Sequence, residues 1–257
     1  MGKKSNGWAD ILTKVQRVAN PETRVTDVLV EVLENAIVHR QKTDGWRSTH
    51  VHPSNLWRGE RWWYFYLTQV AEKGEENAHS LRRMQNGTKA HERIDKYLQD
   101  TELLKDVRVK VVAIEHYFKN ETLNFSGRID AVVEILGTLY NLEFKTAKSS
   151  VFKSVQKSGP SSDYLWQAAG YTYMNGYPTI FLYENKDTQE WYAMIVKSND
   201  YVPKVEAKLK AIKEAVTTKQ VPPLCDTGCN TCKFVQHCAT VQRQPMEALS
   251  SDALSGH

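Results

Sequence analysis

Two adjacent segments rich in β-branched and aromatic residues, with a glycine between them, constrain the fold of this chain most strongly. The first covers residues 125–135, the second covers residues 139–146, and Gly137 lies in the short connection. Such segments predict the two strands of a β-hairpin. A third strand is predicted just before them, over residues 107–118. A β-sheet therefore lies at the centre of the predicted fold.

Helical patterns surround these strands. Helices are predicted after the start signal Asn20-Pro21, after Ser54, and over residues 76–98, 164–174 and 202–217, with two more strands over residues 179–183 and 191–196. Asn86-Gly87 either splits the third helix or marks a close contact. Residues 40–53 and the basic, serine-rich residues 149–162 are predicted as loops. The pattern indicates an α/β protein with a mixed sheet core flanked by helices, N-terminal helices and a C-terminal cysteine-rich segment.

The composition is that of a folded, enzyme-sized protein. The 257 residues are 41% hydrophobic and 25% charged, and a net charge of +4 permits an anionic partner without requiring one. No apolar run is long enough to span a membrane, and the first residues lack the apolar core of a secretory signal. We therefore expect a cytoplasmic protein without a membrane partner, in a reducing compartment where clustered cysteines favour a metal site over disulfides.

The predicted hairpin carries two carboxylates at matching positions. With the turn centred on Leu136 and Gly137, Asp130 and Glu143 are predicted to be cross-strand partners. Directly opposed residues share one face of a sheet, with Cβ atoms roughly 5 Å apart. Lys145 follows Glu143 by two residues and therefore lies on the same face. The sequence thus predicts that these three charged side chains meet.

This grouping has a specific chemical use. Two opposed carboxylates repel each other unless positive charge lies between them, and a divalent cation held by their oxygens is the usual solution. A lysine beside such a cation can orient or help deprotonate a water and can offset charge on a phosphorane-like transition state. These groups suit the hydrolysis of a phosphodiester. A Glu-x-Lys pattern alone carries little weight, because Glu206 and Lys208 repeat it on a predicted helix among solvated charges.

All four cysteines of the chain lie near its C-terminus. Their spacing, Cys225-x3-Cys229-x2-Cys232-x5-Cys238, is short enough for four thiolates to surround one inorganic centre. His237 adjoins Cys238 and is an alternative ligand for zinc. The spacing therefore predicts a metal or cluster site, with free thiols as the other possibility.

Asp130 together with Glu143-x-Lys145 resembles the signature of the PD-(D/E)xK nuclease superfamily. Three further segments narrow the resemblance to its RecB-type branch. Residues 87–91 resemble the helical motif of that branch that ends in a metal-binding histidine, residues 167–171 resemble its Gln-x-x-x-Tyr motif, and Ser54-Asn55-Leu56 with Arg61 resembles the upstream helix of its iron-sulfur members. The proline that the superfamily carries before the aspartate is replaced here by Gly127-Arg128-Ile129, a form frequent in the RecB-type branch.

The resemblance implies a restriction-endonuclease-like core and a role for each matching residue. Asp130, Glu143 and His91 are expected to bind Mg²⁺ or Mn²⁺, and Lys145 is expected to act on the attacking water. The implied substrate is DNA, single-stranded or at its ends, and Gln167 and Tyr171 are expected either to bind it or to support the groups around the metal. Lys148 is expected to bind DNA as well, because it belongs to a run of basic residues that leaves the second strand of the hairpin.

The cysteine segment resembles that of the iron-sulfur members, which include the AddB proteins and the CRISPR-associated exonucleases. The resemblance covers the final three cysteines, Cys229, Cys232 and Cys238. Those members usually take a fourth cysteine from far upstream, where this chain has Gly59, so Cys225 is expected to replace it locally. The implied cofactor is a structural 4Fe-4S cluster, with Zn²⁺ as the alternative.

Together these features predict a metal-dependent DNA nuclease, most simply an exonuclease that processes ends in recombination, repair or phage-type DNA metabolism, with recombination or replication proteins as possible partners. The expected divisions are residues 1–53 as an N-terminal helical segment, 54–221 as the nuclease core, 222–242 as the cysteine-rich segment and 243–257 as a flexible tail. Two alternatives are a non-catalytic DNA-binding module built on the cysteine segment, and an RNA or site-specific endonuclease on the same core.

Overall fold

The computed structural model describes residues 25–43, 48–69, 77–100, 108–225 and 232–242. The start of the first predicted helix, Cys229 and the predicted tail lie outside these ranges. The described helices are α1 (Val25–Thr43), α2 (Glu60–Thr68), α3 (Ala78–Gln99), α4 (Ser149–Ser158), α5 (Ser162–Asn175), α6 (Val202–Thr218) and α7 (Val235–Gln242), with a 3-10 turn at Pro53–Asn55. None of them combines the length and apolar character that crossing a membrane requires.

The strands form one five-stranded sheet in sequence order. They are β1 (Val109–Asn120), β2 (Phe125–Ile135), β3 (Thr138–Ala147), β4 (Thr179–Asn185) and β5 (Trp191–Ile195). The pair β3 and β4 is parallel because α4 and α5 connect them, and the other neighbouring pairs are antiparallel. The predicted mixed α/β fold class is confirmed.

The predicted hairpin and its register are also confirmed. Leu136 and Gly137 both have positive φ, 52° and 81°, as a two-residue type I′ turn requires. The pairing runs from Ile135 with Thr138 to Ala131 with Leu142. Asp130 and Glu143 are therefore the next residues beyond the last pair.

Helices cover both faces of the sheet beside this point. On one face, Ala90 and Ile94 of α3 pack against the fully buried Phe144 of β3. On the other face, Ala168 of α5 packs with Phe181 of β4. Since neighbouring residues of a strand point to opposite faces, Glu143 and Lys145 project toward α5 while Phe144 faces α3.

Three local predictions were wrong. Residues 149–158 form α4 instead of a loop, because Phe152 and Val155 are buried against the sheet and Asp187 Oδ2 accepts a hydrogen bond from the first backbone N–H, that of Ser149, at 2.9 Å. α2 begins at Glu60, after a 3-10 turn, and not at a Ser54 cap. α3 continues unbroken through Gly87, around which a Cβ atom would have open space, so Gly87 marks neither a break nor a close contact.

The described residues fall into two compact units. Residues 25–43 and 77–86 belong to the first, in which Arg82 Nη2 donates to Glu34 Oε1 at 2.9 Å. The remaining described residues belong to the second, which contains the whole sheet. All the side chains predicted to act in catalysis or to bind metal within the described residues lie in this second unit.

Candidate active site

Asp130 lies where β2 and β3 stop pairing, and its carboxylate bridges three elements. Its Oδ2 accepts a hydrogen bond from the backbone N–H of Phe144 on β3 at 2.7 Å. Its Oδ1 lies 3.2 Å from His91 Nδ1 on α3. The side chain is mostly buried, with 19% exposed. Asp130 therefore fixes the end of β3 and the His91 imidazole at one point.

Glu143 is buried on the other face of β3, and both its oxygens are engaged. Oε1 accepts hydrogen bonds from Lys145 Nζ and Gln167 Nε2, both at 2.7 Å. Oε2 accepts a hydrogen bond from the Tyr171 hydroxyl at 2.9 Å. A carboxylate that is 4% exposed is costly to bury unless it is paired in this way.

Lys145 completes this bonded group. Its Nζ also donates to Gln167 Oε1 at 3.0 Å and lies 4.8 Å from the centroid of the Tyr164 ring. The ammonium is therefore held by a carboxylate, an amide oxygen and an aromatic face, all fixed by β3 and α5. Such fixed geometry is what a positioned catalytic lysine requires.

Gln167 and Tyr171 lie one helical turn apart on α5, and both are 3% exposed. Gln167 Nε2 donates to the Tyr171 hydroxyl at 2.9 Å as well as to Glu143. Their polar atoms are thus directed at Glu143 and Lys145. The contacts favour a supporting role for both residues, and the direct contact with DNA that the sequence suggested stays a prediction.

Lys148 is exposed at the N-cap of α4, three residues after Lys145, and lies outside this bonded group. Its predicted contact with substrate is compatible with this exposure. The structure thus brings together Asp130 with His91, and Glu143 with Lys145, Gln167 and Tyr171, and leaves Lys148 apart at the surface.

The electrostatics of the site follow from burial and from the closeness of the two carboxylates. Burial raises the pKa of Glu143, and the negative charge of Asp130 raises it further, while Lys145 opposes both effects. Burial lowers the pKa of Lys145, but the Glu143 carboxylate outweighs it and raises that pKa overall. Burial also raises the pKa of Tyr171 well above its usual value, so its hydroxyl remains a hydrogen-bond donor. The lysine is therefore a cation in this arrangement.

His91 is coupled to the same charges. Its hydrogen bond to Asp130 raises its pKa, against the effect of burial. The imidazole makes a T-shaped contact with the Phe144 ring, with 5.3 Å between centroids. The ring orientation is therefore set by a carboxylate on one side and by an apolar residue of β3 on the other.

Two further carboxylates lie close to this group and were not expected from the sequence. Asp95 follows His91 by one helical turn, and its pKa is raised by burial and by the charges of Glu115 and Asp130. Glu115 lies on β1 between the residues that pair with Ala131 and Ile129, and it accepts a hydrogen bond from Arg128 Nη1 at 2.6 Å. The i, i+4 spacing from His91 was a usable signal for Asp95, whereas Glu115 required the β1–β2 register.

An ion pair between the half-exposed Arg93 and the buried Glu184 connects α3 to the sheet. Arg93 Nη2 donates to Glu184 Oε2 at 2.6 Å, and Trp191 Nε1 donates to the same oxygen at 3.0 Å. Glu184 is 5% exposed and lies beside Thr146 in the parallel register. The pair therefore fixes the helix that carries His91.

The metal ligands predicted from the sequence do not form a closed site. Within the described ranges, no three His, Cys, Asp or Glu side chains form a group that could hold a metal ion. Asp130 and His91 are in contact, whereas Glu143 directs its oxygens at α5 and Lys145. Their chemistry still suits a hard divalent cation, because a carboxylate and an imidazole are in contact here and the negative charge of Asp130 raises the pKa of Glu143.

Three of the four cysteines are described, and they pack on α2. Cys225, Cys232 and Cys238 form no disulfide, and all three contact the core cluster that includes Trp62 and Phe65. A Cβ atom built on Gly59 would lie 2.5 Å from Cys225 Sγ. Cys225 therefore occupies the space that a side chain at position 59 would need.

The same region contains buried donors that lack acceptors. Arg58 Nε, Arg61 Nε and Trp62 Nε1 are buried and have no hydrogen-bond partner among the described residues. Buried N–H groups are normally satisfied, so these three are exceptions. Cys225, Cys232 and Cys238 do not form a group that could hold a metal ion, so the cysteine-bound centre stays a prediction.

Comparison with known proteins adds distant similarities of fold. An alkaline exonuclease from Laribacter hongkongensis, LHK-Exo, aligns over 76% of this chain and 96% of its own, with 14% identity and a TM-score of 0.48, or 0.49 for its complex with dAMP. The structure of SSO0001 aligns over 84% of this chain and 98% of its own, with 15% identity and a TM-score of 0.47. No family model and no curated protein matches the sequence. At these scores the likeness identifies neither a substrate nor a catalytic residue.

Proposed function

We propose that this protein is a metal-dependent DNA nuclease that acts as an exonuclease on DNA ends. The observation that carries the proposal is the buried group of Glu143, Lys145, Gln167 and Tyr171 beside the Asp130–His91 pair, at the point where two strands separate. Burying an ion pair in the middle of a fold rarely improves stability over apolar packing. Perturbed, buried ionisable groups of this kind are more typical of a catalytic site.

Asp130, Glu143 and His91 are the residues that would hold Mg²⁺ or Mn²⁺. Such a cation, when bound, supplies Lewis-acid polarisation of a phosphoryl oxygen and activates water near neutral pH. Binding requires the unprotonated forms of these ligands, and it would draw Glu143 Oε1 or Oε2 away from the contacts described above. Asp130 needs no comparable movement, since it already lies at the end of the paired strands.

The remaining residues act through position and charge. The Lys145 ammonium, held on the face of Glu143, would orient the attacking water and offset the negative charge that develops on the phosphorus oxygens. Gln167 and Tyr171 keep Glu143 and Lys145 in a single arrangement, so that little reorganisation precedes the reaction. Lys148, exposed beyond β3, would bind a DNA phosphate and make binding depend on salt.

The cysteine segment is proposed to be a structural metal centre. Cys225, Cys229, Cys232 and Cys238 would hold a 4Fe-4S cluster or, as the alternative, Zn²⁺. The location of three of them against α2 supports a role in fastening the C-terminal segment to the core. The cellular setting that fits is the cytoplasm, with DNA ends as substrate in recombination or repair.

The proposal is tested with end-labelled single- and double-stranded DNA, incubated with and without Mg²⁺ or Mn²⁺. Wild-type protein is expected to release mononucleotides or short products only when the metal is present. Lys145→Met should lower the cleavage rate by about 10²–10³-fold, the loss typical of removing one charge-stabilising donor. DNA binding should be nearly unchanged, because the lysine acts mainly on the transition state.

Lys210→Met is the matched control, since Lys210 forms an exposed ion pair with Glu206 on α6. It should cleave at the wild-type rate. Cleavage by Lys145→Met at the same rate would contradict the assignment. Internal cuts in a circular substrate, or a preference for RNA, would retain the catalytic group but replace the exonuclease with an endonuclease.

A further inference from the structure

Two aromatic rings outside the sequence motifs of the site lie beside the Lys145 ammonium. Lys145 Nζ is 4.8 Å from the ring centroid of Tyr164, on the first turn of α5, and 5.8 Å from the ring centroid of Phe181, on β4. An ammonium within about 6 Å of a ring centroid is attracted by the negative face of the ring. Lys145 is therefore held by two rings as well as by hydrogen bonds.

Packing fixes both rings. They meet edge to face, with 5.8 Å between centroids and an interplanar angle of 82°. Phe181 is fully buried and lies beside Glu143 in the parallel register of β3 and β4. Tyr164 is half-buried and packs against a cluster that also contains Phe152 and Val155 of α4. The position of the rings is therefore set by the sheet and by two helices, and it does not depend on the hydrogen bonds of Glu143.

The hydrogen bonds of Lys145 depend directly on Glu143. Lys145 Nζ donates to Glu143 Oε1 at 2.7 Å and to Gln167 Oε1 at 3.0 Å. In the proposed function Glu143 also serves as a metal ligand, and an oxygen used in that way is a weaker acceptor for the ammonium. Gln167 would then be the main hydrogen-bond partner of a long and flexible side chain. A restraint that does not change with Glu143 is needed to keep the ammonium in place.

We propose that Tyr164, supported by Phe181, is a positioning residue that holds the Lys145 ammonium in place during phosphodiester cleavage. This role rests on the proposed nuclease function, and neither the Glu-x-Lys nor the Gln-x-x-x-Tyr pattern includes Tyr164. The ring acts through its face, so the hydroxyl is not required. Contact between a ring and an ammonium changes an equilibrium by about 2–30-fold, more when the ammonium is desolvated. The Lys145 side chain is 16% exposed, so an effect in the upper part of this range is expected.

The experiment compares Tyr164→Leu and Tyr164→Phe with wild type on end-labelled DNA in the presence of Mn²⁺. Tyr164→Leu keeps an apolar side chain but removes the ring, so kcat should fall about 2–30-fold. KM should be nearly unchanged, because the ammonium acts mainly on the transition state. Tyr164→Phe keeps the ring and should restore kcat to the wild-type value.

A second measurement reports on Lys145 without any cleavage. The metal-free proteins are treated with an amine-acylating reagent, and the rate of modification at Lys145 is followed by mass spectrometry of its peptide. Removal of the ring should make Lys145 react faster in Tyr164→Leu than in wild type. Tyr164→Phe should react at the wild-type rate, since its ring still covers the amine.

Trp166→Leu is the matched control on the same helix. The Trp166 ring lies 4.7 Å from Nζ of Lys208, whose side chain is 11% exposed and which has no part in the proposed site. The variant therefore removes an equivalent contact. It should lower the melting temperature but leave kcat and the modification of Lys145 at wild-type values. If Trp166→Leu does not fold, Tyr201→Leu replaces it, because that ring lies 5.4 Å from Lys204 Nζ on α6.

Wild-type kcat in a folded Tyr164→Leu variant would overturn the inference. An equal loss of kcat in Tyr164→Phe would also overturn it, because the hydroxyl would then be the group that acts. Wild-type protein that fails to cleave DNA with metal would instead overturn the proposed function, and unchanged modification of Lys145 in Tyr164→Leu would then show that the ring does not hold the amine either. Circular dichroism identifies loss of fold, and Tyr164→Met carries the test if Tyr164→Leu unfolds.

Discussion

The two functional regions of this protein satisfy their buried polar groups in opposite ways. At the end of β3, the buried carboxylate of Glu143 and the ammonium of Lys145 bond to each other and to side chains of α5. Beside the cysteines, the N–H groups of Arg58, Arg61 and Trp62 have no acceptor within the described residues. The first region is complete without a ligand, whereas the second has donors in excess.

The difference indicates what each region requires from outside the chain. A group whose charges are already paired keeps its geometry before any substrate or cation arrives, which is the preorganisation that catalysis uses. The proposed cysteine-bound centre would supply acceptors to the region with unsatisfied donors, and folding of that region would then be coupled to metal binding. Metal removal should therefore loosen the cysteine segment and leave the hairpin site intact.

The largest expected effect comes from breaking the paired region. Glu143→Ala leaves the Lys145 ammonium buried without its carboxylate, and loss of one partner of a buried ion pair costs about 3–5 kcal/mol. The variant should unfold at a clearly lower urea concentration than wild type, and it should also be inactive. Burial then lowers the pKa of Lys145 with only the charges of Tyr164 and Asp130 opposing it, so part of the lost stability should return as the pH is raised.

Glu206→Ala is the control for that variant. Glu206 has the same Glu-x-Lys context, but its side chain is 48% exposed and pairs with Lys210 at the surface of α6. Exposed pairs contribute about 0–1 kcal/mol, so the urea midpoint should scarcely move. Equal destabilisation by the two substitutions would mean that loss of the hairpin ion pair costs no more stability than loss of an exposed ion pair.

The hairpin was predictable because local patterns determine it, and a two-residue turn at Leu136 and Gly137 sets its register. The expected pairing of Asp130 with Glu143 on one face is not seen, because the ladder ends at Ala131 with Leu142, the Asp130 carboxylate meets His91 and Glu143 faces α5. The hydrogen bond from the Phe144 N–H to Asp130 was not predictable, because the end of the pairing depends on how the strands separate. The partners of Glu143 on α5 were indicated only by the four-residue spacing of Gln167 and Tyr171.

The features that the sequence did not predict depend on contacts between residues that are distant in sequence. α4 was missed because its serine-rich, basic sequence was interpreted as a loop, although Phe152 and Val155 are at helical spacing. Its first N–H is satisfied by Asp187, which is distant in sequence. The Arg93–Glu184 pair joins α3 to β4 across 91 residues, and no local pattern marks either residue. The resemblance led us to expect that Cys225 replaces a cysteine at position 59. That the two positions are close in space, however, follows only from the fold.

A smaller effect is expected from filling the space at Gly59. Gly59→Ala places a Cβ atom 2.5 Å from Cys225 Sγ, so Cys225 or α2 must shift, and overpacking of this kind costs about 1–3 kcal/mol. The variant should bind metal more weakly, as measured by chelator competition. Combining Gly59→Cys with Cys225→Ala should restore metal binding, because the thiol is then supplied from the other side of the same contact.

Gly87→Ala is the matched control for the glycine substitution. It adds the same methyl group within α3, where a Cβ atom meets nothing within 4 Å. Replacing glycine by alanine inside a helix stabilises it by about 1 kcal/mol, so the melting temperature should rise. Failure of the Gly59→Cys, Cys225→Ala variant to bind metal, in a protein that remains folded, would show that position 59 cannot replace Cys225.

The smallest expected effect concerns protons at the paired region. The bond to Asp130 raises the pKa of His91, so its contribution to folding is fully present below the unfolded pKa of about 6.5 and is lost as the pH rises through the folded value. A cation must displace the proton from His91 and from any protonated Glu143. Metal affinity should therefore increase with pH, by at most about tenfold per pH unit for each proton released. Calorimetric titration with Mn²⁺ in two buffers of different ionisation enthalpy measures this release at fixed pH.

Two variants show whether the protons come from the paired region. His79→Asn, on the same helix as His91 but 73% exposed, should leave the proton release unchanged, whereas Asp130→Asn should reduce both the release and the metal affinity. If Mn²⁺ binds the Asp130→Asn, Glu143→Gln variant as tightly as wild type, the cation lies elsewhere and the paired region is not its site.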